Sequence, residues 1–208
     1  MSQRGSYAKG IAKREEILTK ALEVIAREGY RGASVKVLSE AVGLSQTGLL
    51  HYFDSKDELF IEILRMRDEV DLQTYRQEAG VDPLRIFLRV MRHNAEVPGL
   101  VELYTRLAAE ASDHAHPAHR FFTERRAAMR ALFNEILEDG KSAGLYPVGL
   151  DTASFGIVLN AVADGLQTMW LQDPSIDMAS EIERLFVSLG VLSPVRGAGS
   201  PSGPDAGA

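Results

Sequence analysis

There is no cysteine among the 208 residues. Its absence excludes a disulfide scaffold, a zinc finger, an iron–sulfur site and a cysteine nucleophile, and it fits a reducing cytoplasm. Long apolar runs are missing too: none approaches the ~20 residues that cross a bilayer, so no membrane partner is expected. The opening segment MSQRGSYAKGIAKREE carries charge with no apolar stretch behind it, so no signal peptide is expected. Alternation of period two is nowhere sustained, which argues against a sheet. A Gly-rich phosphate loop, H-E-x-x-H and G-x-S-x-G are all absent. The expectation is a cytoplasmic, globular, all-α protein that is not an enzyme and needs no cofactor or metal. The length suits one large domain, or a small domain fused to a medium one.

What is present is a charge asymmetry. The formal net charge is −6. Residues 1–56 nevertheless hold nine Lys or Arg (Arg4, Lys9, Lys13, Arg14, Lys20, Arg27, Arg31, Lys36, Lys56) against six Asp or Glu, a balance of +3. A basic head on an acidic body suits a head that meets an anion, although chance variation over 56 residues can produce the same balance.

Caps and breakers divide the chain into nine helices. Leu18, Ala21, Leu22 and Ile25 recur at helical spacing up to Gly29. Ser34 caps a short helix stopped by Gly43, and Ser45 caps a third helix from Gln46 to about Phe53. Ser55 and Glu58 read as a capping box opening a long helix through Phe60, Ile63, Leu64 and Arg67 to about Glu78. Pro83, Pro98 and Pro117 open helices near 83–96, 98–112 and 117–143. Asp151 caps a helix to about Leu171, and Asp177 caps one near 178–190. Residues 193–208 are thirteen-sixteenths Gly, Pro, Ser and Ala, a composition that predicts a disordered tail.

The segment Ser34 to Lys56, SVKVLSEAVGLSQTGLLHYFDSK, reads as a helix-turn-helix. Val35, Leu38, Val42, Leu44 and Leu49 face inward, and Gly43 supplies the left-handed turn. Gln46, Thr47, Gly48, Leu50, His51 and Tyr52 are left on or near the outer face. In such motifs the start of the second helix enters the major groove.

These residues resemble the TetR family of transcriptional regulators. Ser34, Leu38, Ser39, Ala41, Gly43, Leu44, Ser45, Leu49, Phe53, Lys56 and Leu59 fall at the family's offsets. Asp164-Gly165-Leu166 through Asp173-Pro174 looks like one of its C-terminal subgroups. Two departures stand out: Leu50 occupies the usual tyrosine position, and Thr47-Gly48 reverses the usual order. The resemblance implies a three-helix DNA-binding head over 1–56, a ligand-binding and dimerisation domain over 57–192, and a tail over 193–208. It also implies a ligand-responsive regulator, more in the manner of a repressor, acting on a palindromic double-stranded operator.

Roles carry over from that resemblance. Gln46 is placed to pair with a base edge, with Thr47, Gly48 and Leu50 beside it. Ser34 and Ser45 are placed at phosphates from helix starts, and Lys36, His51, Tyr52 and Lys56 on the backbone. A solvated surface remains the alternative for each. The helix 151–171 is apolar nearly all round and must be covered on all sides. With 178–190 it predicts a homodimer seam, the alternative being the central helix of a monomeric bundle. The resemblance further implies a cavity for a small hydrophobic or amphipathic effector. Candidate lining residues are His93, Tyr104, Phe121, Arg125, Met129, Asn160, Gln167 and Trp170, with Arg125 favouring an anionic group. One competing pattern is Asp113-His114-Ala115-His116-Pro117-Ala118-His119, whose histidines could bind zinc or nickel in a metal-dependent helical enzyme. A polar surface turn is the plainer reading of it.

Overall fold

A computed structural model describes residues 3–76 and 81–193, with side chains described for 9–73 and 81–193. Among them are nine helices and no strand: α1 (Gln3–Gly32), α2 (Val35–Ala41), α3 (Gln46–Leu50), α4 (Lys56–Arg76), α5 (Pro83–Glu96), α6 (Pro98–Glu110), α7 (Ala118–Ser142), α8 (Thr152–Gln172) and α9 (Met178–Ser188). The expected all-α architecture is the observed one. The long fourth helix was expected to reach Glu78, which lies outside the described residues, as does the expected tail from 194 onward.

Caps set most of the helix starts. Ser34 accepts from the Val37 N–H, Ser45 from Gly48, Asp82 from Leu84, Asp151 from Ser154 and Asp177 from Ser180. Of the Ser55–Glu58 capping box, the bond from the Glu58 N–H to Ser55 Oγ is made at 3.0 Å. Gly43 turns the chain at φ 67, where a Cβ would be strained.

Helix ends differ from the sequence reading at several places: α1 continues past the break at Gly29 to Gly32, α9 stops at Ser188 rather than 190, and two others stop early for one shared reason. The third helix stops at Leu50 rather than near Phe53, because the Tyr52 and Phe53 N–H groups bond three residues back, to Leu49 and Leu50, and tighten the chain out of the α conformation. The sixth stops at Glu110 for the same reason, with Ser112 N–H bonded to Ala109.

Two apolar cores follow. One gathers Ile17, Val24 and Ile25 of α1, Leu38 of α2 and Leu49 of α3 with Leu59, Phe60 and Ile63 of α4, Leu103 of α6 and Phe122 of α7. The other joins Leu84 and Leu88 of α5, Phe133 and Leu137 of α7, Phe155 and Leu159 of α8 and Ile182 and Phe186 of α9. The first core therefore runs past residue 56: the head packs continuously onto α4, α6 and the start of α7. At its back, α1 lies along α6 so closely that a Cβ on Gly99 would stand 2.2 Å from the Ile25 carbonyl oxygen.

Candidate nucleic-acid interface and interior cavity

The outer face of α2 and α3 carries the residues expected there. Ser34, Lys36, Ser45, Gln46, Thr47, His51 and Lys56 are exposed, while Gly48, Leu50 and Tyr52 are half-buried. Leu49 is fully buried and fixes the rotation of α3, which turns Gln46 and Thr47 outward. The Ser34 and Ser45 oxygens are occupied as caps, leaving each hydroxyl hydrogen to donate. Lys56 Nζ sits 5.3 Å from the Phe60 ring centroid, a cation–π contact that restrains the ammonium at the surface.

Arg14 of α1 fastens this face from behind. Its Nη1 donates to the Tyr52 carbonyl at 2.6 Å, its Nη2 meets Glu62 at 3.0 Å, and its guanidinium lies 4.5 Å over Phe53. One side chain thus joins α1, the turn after α3, and α4. Nothing in its sequence neighbourhood signals this, because its partner Tyr52 is 38 positions away.

Behind the first core is a cavity of about 520 Å³, within the usual range for small-molecule sites. Its wall includes Arg65, Arg67, Asp68 and Asp71 of α4, Phe87, Met91 and Asn94 of α5, Tyr104 of α6, Phe121, Arg125, Met129, Leu132 and Phe133 of α7, and Leu159, Asn160, Asp164 and Gln167 of α8. Six of the expected lining residues are on this wall: Tyr104, Phe121, Arg125, Met129, Asn160 and Gln167. Two are not. His93 lies on a flank of α5 outside the wall and meets Glu96 at 3.1 Å. Trp170 lies nearly one helical turn beyond Gln167, buried in the second core.

The polar part of the wall is a linked chain. Arg125 donates to both oxygens of Asp68, at 2.6 and 3.1 Å, and to the Tyr104 hydroxyl at 3.2 Å. The Tyr104 hydroxyl in turn donates to Asp164 at 2.9 Å. Burial disfavours the charged form of Arg125, yet Tyr104 and the two bonds to Asp68 outweigh it and hold the guanidinium protonated even more firmly than usual. Burial pushes the Tyr104 phenol up, the positive Arg125 partly opposes this, and the Asp164 carboxylate adds to the rise. Arg125 is thus paired through both of these donors with Asp68. Along the whole wall, five carboxylates (Asp68, Glu69, Asp71, Glu124, Asp164) face three guanidiniums (Arg65, Arg67, Arg125).

Arg67 falls on the apolar stripe of α4, and its sequence setting alone gives it no role. The signal was that placement itself: a charged residue in register with Phe60, Ile63 and Leu64. It is buried, and its Nη2 donates to Asn94 Oδ1. Burial lowers its pKa, against the opposing pull of Asp71, and burial likewise raises the Asp71 carboxyl, against the pull of Arg67.

The histidine turn does not converge on a metal. His119 Nδ1 faces the Ala111 carbonyl at 2.9 Å and so carries its hydrogen there. Its Nε2 then accepts from His114 Nδ1 at 3.1 Å. His116 turns elsewhere, accepting from the Ala118 N–H and lying 3.5 Å from Glu110 and 3.9 Å from Asp57. Among the described residues no three His, Asp or Glu side chains are grouped to hold an ion.

Comparison with known proteins agrees with this anatomy. Residues 17–63 match the sequence profile described as bacterial regulatory proteins, tetR family. The HTH-type transcriptional regulator RutR of Escherichia coli O157:H7 is 31% identical over 132 residues, covering 63% of this chain and 56% of that protein. The chain thus spans little more than half of that relative's length. A putative TetR-family transcriptional regulator from Rhodococcus sp. superposes with a TM-score of 0.66 at 21% identity, covering 86% of this chain and 99% of that one. The repressor FadR of Thermus thermophilus, solved with lauroyl-CoA, superposes with a TM-score of 0.59 at 20% identity, covering 91% and 100%. At those identities the two structures speak to the fold.

Proposed function

We propose that the chain, whose residues 17–63 match the tetR-family profile, is a TetR-family ligand-responsive transcriptional regulator, acting as a repressor. It binds a palindromic operator as a homodimer and leaves it when a small organic molecule fills the cavity. The observation that carries this reading is the span of α4. Its first residue, Lys56, stands at the edge of the exposed α2–α3 face, while Arg67, Asp68 and Asp71 further along form the cavity wall. One helix borders both places.

Residues 1–56 act as the reading head. Gln46 pairs with a base edge, Thr47, Gly48 and Leu50 contact neighbouring bases or a thymine methyl, and Ser34, Lys36, Ser45, His51, Tyr52 and Lys56 hold the phosphates. Residues 57–192 bind effector and partner. On α8 the far side from the core leaves Ile157 at 55%, Val158 at 48% and Met169 at 54% exposure, an apolar strip that a second copy covers together with α9. Two heads then meet successive major grooves, and their separation sets the fit. An effector that prefers the altered separation lowers operator affinity, and the operator opposes effector binding by the same factor.

The test is fluorescence anisotropy with the DNA flanking the protein's own gene, at several salt concentrations, against a shuffled duplex. Tight, salt-sensitive preference for the native duplex is the expected result. Equal affinity for both duplexes, or for neither at low salt, counts against the reading.

A further inference from the structure

The cavity wall contains a buried donor with no acceptor. Arg67 is 7% exposed, and its Nη2 is engaged by Asn94, but its Nε has no hydrogen-bond partner. The Asp71 carboxylate oxygen paired with it stands 3.7 Å away, too far for a hydrogen bond. A buried N–H left unmatched is costly, and in native proteins such a group marks either strain or a place filled by something else. Here the same residue borders a cavity large enough for an organic molecule.

The charges around it narrow what that molecule is. Carboxylates exceed guanidiniums along the wall, so an anion meets net repulsion there. Arg125 cannot offset this, being tied to both oxygens of Asp68. A cation suits the carboxylates but offers Arg67 no acceptor and leaves the buried donor unmatched. A pure hydrocarbon leaves the donor unmatched. We infer that the effector is an uncharged molecule with an apolar body among Phe87, Met91, Met129, Leu132 and Phe133, and a carbonyl oxygen that accepts from Arg67. This rests on the cavity being the effector site. It locates the polar contact on α4, the helix that borders the reading head.

Isothermal titration of the full chain with three probes of similar chain length tests the inference: octanamide, octanoate and octyltrimethylammonium. Octanamide is expected to bind at least about tenfold more tightly than either charged probe. Arg67→Met keeps an apolar stem and removes the donor. It is expected to erase that preference by weakening octanamide about tenfold, while octyltrimethylammonium, relieved of a positive neighbour, binds no more weakly than before. Circular dichroism establishes that the variant is folded, and should it not fold, the panel on the unmodified chain decides alone. Equal or tighter binding of octanoate or of octyltrimethylammonium overturns the inference, as does binding of none of the three. Operator affinity is measured separately. A chain that selects octanamide yet ignores its flanking DNA counts against the regulator reading and leaves the carbonyl assignment standing.

Discussion

Arg125 and Asp68 meet through two parallel hydrogen bonds, Nε to Oδ2 at 2.6 Å and Nη2 to Oδ1 at 3.1 Å, and so clamp α7 to α4 across the cavity. Asp68 is only partly shielded from water, so its loss of a partner is cheaper than for a deeply buried carboxylate. Arg125→Met is expected to lower stability by about 1–3 kcal/mol, read as a shift of the urea midpoint with an unchanged slope. An unchanged midpoint would mean that the clamp is only a surface pair.

Arg14 fastens the turn after α3 and is expected to position that helix without itself contacting DNA. Arg14→Ala removes the bond to the Tyr52 carbonyl and the contact with Glu62. Operator affinity is expected to fall about five- to tenfold, while the dependence on salt concentration keeps its slope because no phosphate contact is lost. A flatter slope would place Arg14 on the backbone instead.

Gln46 and Lys56 are both exposed but have different assignments. Gln46→Ala is expected to cost about 1–3 kcal/mol on the operator and to relax discrimination at one base position. Lys56→Ala is expected to weaken all sequences alike and to reduce the salt slope by about one. If the two variants behave identically, the division into base and phosphate contacts is wrong.

Val158 tests the dimer. Replacing it with Glu puts a charge into the apolar strip beside Ile157. Sedimentation is expected to show monomers, with helix content retained and operator binding lost. A dimer that persists would move the seam elsewhere.

Alkaline stability follows from buried phenols, with Tyr104 and Tyr146 shifted furthest and Tyr30 raised beside them. Burial raises the pKa of both Tyr104 and Tyr146, and acceptor carboxylates, Asp164 and Asp82, add to the rise. In the unfolded chain a tyrosine loses its proton near pH ~10, while the folded chain still holds both. Between that value and the raised folded values the native state binds more protons, so stability is intact below pH ~10 and falls as pH rises through this window. Tyr146→Phe is expected to shallow the fall measured by urea denaturation from pH 9 to 11.

Much of this was legible in the chain, because it is written locally. Ser34, Ser45, Asp82, Asp151 and Asp177 announce helix starts through bonds spanning two or three residues, and the periodicity between them picks the buried faces. What stayed hidden depends on how helices meet. Arg14 has its partner 38 positions away, and the Arg125–Asp68 clamp spans 57. The outward position of His93 and the deep one of Trp170 depend on helix rotation and on where the cavity ends, which periodicity does not fix. Arg67 was visible as a misfit on an apolar stripe, but only the packed structure reveals that one of its donors has nowhere to go.

The close approach at Gly99 has a mechanical consequence. With no side chain between them, the start of α6 is a backbone-to-backbone bearing for the end of α1, next to the break at Gly29. The head consequently rests on two posts, α4 and α6, and both posts continue into the cavity, one through Arg67 and Asp68 and the other through Tyr104. A guest that changed the distance between the posts is expected to turn the head about Gly99, where no side chain can yield. A methyl group on Gly99 would meet the backbone of α1 and force α1 and α6 apart at a point away from both the α2–α3 face and the cavity.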